Sequence, residues 1–121
     1  MCDPAGRTIV FKKQDHCPAG PAAYAAVKAS TCVAMNCSSR SLKDRYLDRP
    51  GQLTSMIVTT PGGLAPFPGG VLLMSQKETP PRVVGAVGVS GASADKDEHC
   101  AVVAAHAIGF LTDPPHSALM E

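Results

Sequence analysis

Leu64-Ala65-Pro66-Phe67-Pro68-Gly69-Gly70-Val71-Leu72-Leu73-Met74, followed after a polar turn by Val83-Val84-Gly85-Ala86-Val87-Gly88-Val89, decides the fold. Val71–Met74 and Val83–Val89 are short apolar runs. Lys77-Glu78-Thr79-Pro80-Pro81-Arg82 between them is a turn. Two such runs about a short polar connection predict an antiparallel hairpin. Gly85 and Gly88 carry no side chain, so another part of the chain packs closely on that strand. The prolines 66 and 68 fix the backbone, and Gly69-Gly70 frees it. Turn geometry or close approach by a ligand explains those glycines equally well.

Downstream, Ser90-Gly91-Ala92-Ser93 is a tight turn, and Ser93 is a natural N-cap for a helix over Ala94–Leu111. Asp95, Asp97 and Glu98 fall in its first turns, where the helix dipole favours negative charge. That crowding makes simple capping a better reading of the helix start than an anion site. Upstream, Pro21 suits the first position of a helix over Ala22–Met35. Tyr24, Val27, Thr31 and Ala34 share its expected core face, with Lys28 at the border. Asn36-Cys37-Ser38 ends that helix, and Ser39–Leu47 reads as a short second one. Leu53–Thr60 is mixed and β-leaning. Residues 1–13 read as a hairpin whose first arm has only three residues, so another segment pairs there or the chain enters inside an element. The order is hairpin, helix, short helix, hairpin, helix, an α+β arrangement of helices on an antiparallel sheet. One domain over residues 1–112 and a loose tail over 113–121 are expected.

The chain has 121 residues, 45% hydrophobic and 17% charged, with a net charge of +1. Such a balance offers no electrostatic footprint for nucleic acid or an anionic membrane. So few charges suit a domain that hides surface in an oligomer. No apolar stretch is long enough to span a bilayer, and Met1-Cys2-Asp3-Pro4 lacks the features of a signal sequence. Cys2, Cys17, Cys32, Cys37 and Cys100 are odd in number and form no Cys-x-x-Cys pair. Free thiols in a reducing, cytoplasmic setting are expected. Cys32 and Cys100 read as small core residues.

Little of this is catalytic. Gly85–Gly91 lacks the spacing and the strand-to-helix position of a dinucleotide fingerprint. No Ser-His-Asp set, phosphate loop or metal cluster is readable; His99 and His106 lie two helical turns apart, too far to share an ion. Lys28 is either a snorkelling surface lysine or a partner for a ligand carboxylate. Cys17-Pro18 is a short dipeptide of the kind that gives haem an axial thiolate, and His16 beside it is an alternative ligand.

Asp3-x-x-Gly6, Ala25-x-x-Lys28-Ala29-x-Thr31, Pro66–Val71, Gly85–Gly91 and Asp97-Glu98 together resemble the GlcG/HbpS-like family, which includes the C-terminal domain of PduO-type proteins. The resemblance runs from residue 1 to about 111. It implies a profilin-like fold, an antiparallel sheet flanked by helices. It also implies homo-oligomers from dimer to octamer and association with haem binding or degradation, redox sensing, or glycolate and corrinoid loci. Lys28, Thr31, Phe67, Gly69, Gly70 and Asp97 match the family pattern and are carried over as a ligand-binding or interface set; no haem ligand is. Members begin with a helix and a full first strand ahead of Asp3-x-x-Gly6. Their absence leaves a truncated product or a sheet completed by a partner. The expected function is a haem or tetrapyrrole module. The alternatives are an enzyme or accessory acting on a small hydroxy or oxo acid, and a structural oligomer without ligand.

Overall fold

A computed structural model describes residues 1–119 of the chain. Its elements are α1 (Ala19–Met35), α2 (Ser39–Arg45), α3 (Pro50–Thr59), β1 (Gly70–Met74), β2 (Val83–Gly88), α4 (Ala94–Ala107) and β3 (Leu111–Asp113). The sheet order is β2-β1-β3 and both pairings are antiparallel. The hairpin β1–β2 forms as the two apolar runs about the polar turn predict, with Gly70 opposite Gly88 and Leu72 opposite Ala86. The fold is α+β, with helices flanking an antiparallel sheet.

β1 is the centre of the molecule. Its side chains alternate between two faces, and Gly70 to Leu73 are all buried. Leu72 joins Ala29 and Cys32 of α1, with Cys2 and Ala86, in one core cluster. Val71 joins Ala101 and Val102 of α4 in another. The sheet therefore lies between α1 on one face and α4 on the other. A third cluster, Cys37, Leu42 and Leu64, sits under α2 and α3.

The glycines set the α1 layer. A Cβ on Gly88 would lie 2.0 Å from the Ala25 carbonyl oxygen, and one on Gly70 would lie 2.5 Å from that of Lys28. Because these two glycines face each other across β1 and β2, the helix backbone rests directly on the sheet. This contact turns α1 by about one residue from its expected orientation. Lys28, Ala29, Thr31 and Cys32 are buried, whereas Tyr24 and Ala34 are exposed. Alanine-rich helices carry too little side-chain bulk to dictate their own face, and here the floor dictates it.

Four other expectations are corrected. The stretch 53–60 belongs to helix α3, not to a β segment. Pro50 stands at its first turn, Leu53, Met56 and Ile57 meet the third cluster at helical spacing, and hydroxyls bond back one turn (Thr54 to the Pro50 carbonyl at 3.0 Å, Ser55 to that of Gly51 at 3.2 Å). Residues 1–13 form no regular hairpin. Cys2 makes single bridges to Thr8 and to Ala86, its N–H 2.9 Å from the Ala86 carbonyl, so the entering chain lies along the outer edge of β2. Cys100 is exposed. α4 ends at Ala107 rather than Leu111. Leu111–Asp113 forms the edge strand β3, and Ser117 is buried against His99 at 2.9 Å. The expected tail extends to residues 120 and 121, outside the described residues.

Candidate functional site

The site is built where the β1–β2 end of the sheet meets the start of α4. Lys28 leaves the buried face of α1 and is 1% exposed. Its Nζ donates to the Val89 carbonyl at 3.0 Å and to Asp97 Oδ2 at 3.3 Å. It also lies 4.7 Å from the Phe67 ring centroid, over its face. Phe67 in turn meets Tyr24 edge-on at 5.8 Å. Asp97 belongs to α4, so this ion pair links the two helical layers around the end of the sheet. Burial pushes the Lys28 ammonium below its ordinary range, and the Asp97 charge pulls part of that back. Asp97 also accepts from the Ala92 N–H at 3.0 Å, and Ser93 accepts from Lys96 N–H at 3.3 Å. The Ala92 and Lys96 donors are thus taken by the chain's own acceptors, as capping requires.

Gly69 is where backbone and lysine meet. Its φ is +128°, a conformation that L side chains rarely adopt, and a Cβ there would lie 2.6 Å from both Lys28 Nζ and the Val89 oxygen. Gly70 is held by Ser39: its N–H donates to Ser39 Oγ at 2.8 Å, and that hydroxyl lies 3.3 Å from the Gly70 oxygen. Thr31, one turn on from Lys28, donates to the Val27 carbonyl at 2.6 Å and accepts from the Ala65 N–H at 2.9 Å. Of the residues expected together, Lys28, Phe67, Gly69 and Asp97 form one contact set. Thr31 and Gly70 flank it as clasps on the 64–70 segment.

His16 and Cys17 lie in the exposed loop before α1. His16 takes a left-handed conformation with φ 67°, and the half-buried Cys17 thiol lies 3.4 Å from the Pro18 carbonyl. Sequence reasoning missed Ser39, and also Arg40 of α2, whose guanidinium bonds Glu98 at 2.8 Å and reaches Asp95. These bonds hold the Arg40 charge more firmly than usual, the Glu98 bond most. Asp95 and Glu98, three apart on one helix face, were the readable signal for a cation opposite.

Two clefts flank α1. One, of about 60 Å³, lies between the entering chain and α1, bordered by Val10, Phe11, Lys12, Ala25, Ala26 and Gly88. The other, of about 210 Å³, lies between the 4–6 turn, α1 and the segment after α3. Neither is lined by Lys28, Phe67, Gly69 or Asp97. Among the described residues, no cluster of three or more His, Cys, Asp or Glu could hold a metal ion, and no helix is long and apolar enough to cross a membrane.

A three-layer α+β module with a glycine-floored helix and a buried lysine–aspartate tie is the class these features define. Residues 1–106 match the family described as "Haem degrading protein HbpS-like", and the chain belongs to it. Among solved structures, the chain is similar to one titled a PduOC:heme complex, with 28% identity and a TM-score of 0.78, covering 92% of this chain and 77% of that one. It is similar also to a double mutant of HbpS from Streptomyces reticuli, with 28% identity and a TM-score of 0.70, covering 88% and 67%. The fold is shared with protein ORFY of Klebsiella pneumoniae, at 24% identity and a TM-score of 0.69, covering 82% of this chain and 65% of that one. No curated protein matches.

Proposed function

We propose that this chain is a haem-binding module, with its ligand held on an exposed face or between copies of the chain, in a redox-sensing or haem-degrading setting. The observation that carries the reading is the likeness to the PduOC:heme complex over 92% of the chain. The residues fit such a group in chemical kind. Haem needs an apolar face, cations for its propionates and a nitrogen or sulfur ligand for its iron. Ile9, Val10 and Phe11 are 64%, 54% and 50% exposed, Lys12 and Lys13 follow, and His16 and Cys17 stand just beyond. Bound iron would supply redox chemistry; the chain supplies the seat and the ligand, for which His16 and Cys17 are the candidates. Clefts of 60 and 210 Å³ are small beside the roughly 300–1,000 Å³ of enclosed ligand pockets, which favours a surface or interface seat. A homo-oligomer, from dimer up to octamer, in a cytoplasmic, reducing setting completes the reading. Low charge and five unpaired thiols support it.

The small-acid reading would use Lys28 with the Gly69-Gly70 backbone. It draws less support, because the ammonium is already engaged by Val89 and Asp97. A haemin titration of the purified oligomer, with Cys17→Ala and His16→Ala alongside, tests the proposal. Saturable binding with a sharpened Soret band, weakened in one variant, is expected. Absence of saturable binding would end the haem reading.

A further inference from the structure

α4 is apolar on two sides beyond its first turns. Its inner side buries Ala101, Val102 and Ala105. Its outer side exposes Cys100, Val103, Ala104 and Ala107 at helical spacing, and Ile108 follows at the C-cap. Val103 and Ile108 are 45% and 67% exposed. No Asp, Glu, Lys or Arg occurs between Cys100 and Thr112. A helix segment that is apolar on both sides belongs in an interior, so its outer face is made to be covered.

The face specifies what covers it. Two small residues, Cys100 and Ala104, precede the bulky Ile108 at four-residue steps. About a two-fold axis through Ala104, a second α4 runs antiparallel to the first. Ile108 of each copy then lies against Cys100 of the other, large on small. Ala104 meets its own counterpart, where a lone methyl permits close approach. The charges agree with this direction. Lys96, exposed in the first turn, opposes the dipole of its own helix, and antiparallel packing carries it to the negative carbonyl end of the other.

We infer that this face is a two-fold interface between copies of the chain, with two α4 helices packed antiparallel about Ala104. The inference rests on the homo-oligomer reading and names its surface. The face lies across the sheet from α1, so substitutions on it leave His16 and Cys17 untouched.

Analytical ultracentrifugation of the full chain and of its Ala104→Glu and Ala104→Lys variants, over a range of concentrations, tests this. Ala104 is exposed, so the protomer tolerates either side chain. Like charges meet on the axis in each variant, and each should associate more weakly than wild type by roughly tenfold or more. An equal mixture of the two variants should regain the loss, because glutamate then faces lysine. A folding defect cannot be repaired by mixing. In the wild type, alkylation of Cys100 should slow relative to Cys17 as the concentration rises, since association covers one thiol and not the other. Association of both variants equal to that of wild type would overturn this surface and leave the homo-oligomer reading standing. Weakened variants that the mixture does not rescue would overturn the two-fold contact at Ala104. A wild type that stays monomeric at every concentration would overturn both the surface and the homo-oligomer reading.

Discussion

Lys28 is the residue on which the two helical layers depend. A lysine placed in the interior is costly unless its partner is close and the remaining polar atoms are bonded. Here Asp97, the Val89 carbonyl and the Phe67 face meet that requirement. Lys28→Met would leave the Asp97 carboxylate buried without its cation. The expected loss is about 3–5 kcal/mol, or roughly 10 °C or more in Tm. Adding Asp97→Asn, which retains an acceptor for Ala92 N–H, should restore part of it. A single-variant loss below about 1 kcal/mol in denaturant unfolding would contradict a buried pair. The thiols divide by the same logic of burial. Cys2, Cys32 and Cys37 are buried, and desolvation raises each thiol above its ordinary range. Alkylation of native protein at neutral pH, read by mass spectrometry, should therefore modify Cys17 and Cys100 and spare the other three. Rapid native labelling of Cys32 would contradict the packing of α1 on the sheet.

At the scale of elements, the decisive contact is the seat of α1 on Gly70 and Gly88. Gly88→Ala would place a methyl 2.0 Å from the Ala25 carbonyl oxygen, backbone against side chain, with no flexible group to yield. Helix and sheet must separate, and a loss of about 2 kcal/mol or more is expected. Gly51→Ala is the opposite case. Its Cβ meets nothing within 4 Å, and alanine restricts the unfolded chain, so a gain of about 0.5–1 kcal/mol should appear. Equal effects of the two substitutions would sink this account. The hairpin β1–β2 was legible because two short apolar runs flank a proline turn, and α4 because Ser93 is followed by acidic residues. α3 was not, because Thr54, Ile57, Val58 and Thr59 carry strand preference while its helical stripe is only Leu53, Met56 and Ile57. The face of α1 was missed because nothing in an alanine-rich helix announces a glycine floor some forty to sixty residues away. Lys28, Phe67, Gly69 and Asp97 were found as a set through the family pattern; the pairing itself was not readable, since its partners lie 69 residues apart.

At the scale of the whole molecule, α4 acts as the hub. It takes Lys28 from α1 through Asp97, Arg40 from α2 through Glu98 and Asp95, and Ser117 through His99. Side chains thus join each layer to α4, and the segment after β3 is stitched to it. α3 has no such tie. It contributes no buried residue, and its hydroxyls bond inward to its own carbonyls. Its opening therefore costs little of the interior that α1, β1 and α4 share. Native-state hydrogen exchange should find its amides exchanging through a low-energy partial opening, while those of α1 over Gly70 and Gly88 exchange only when the whole domain opens. The molecule then has two cooperative units, one that sets its lifetime and one helix that comes and goes upon it.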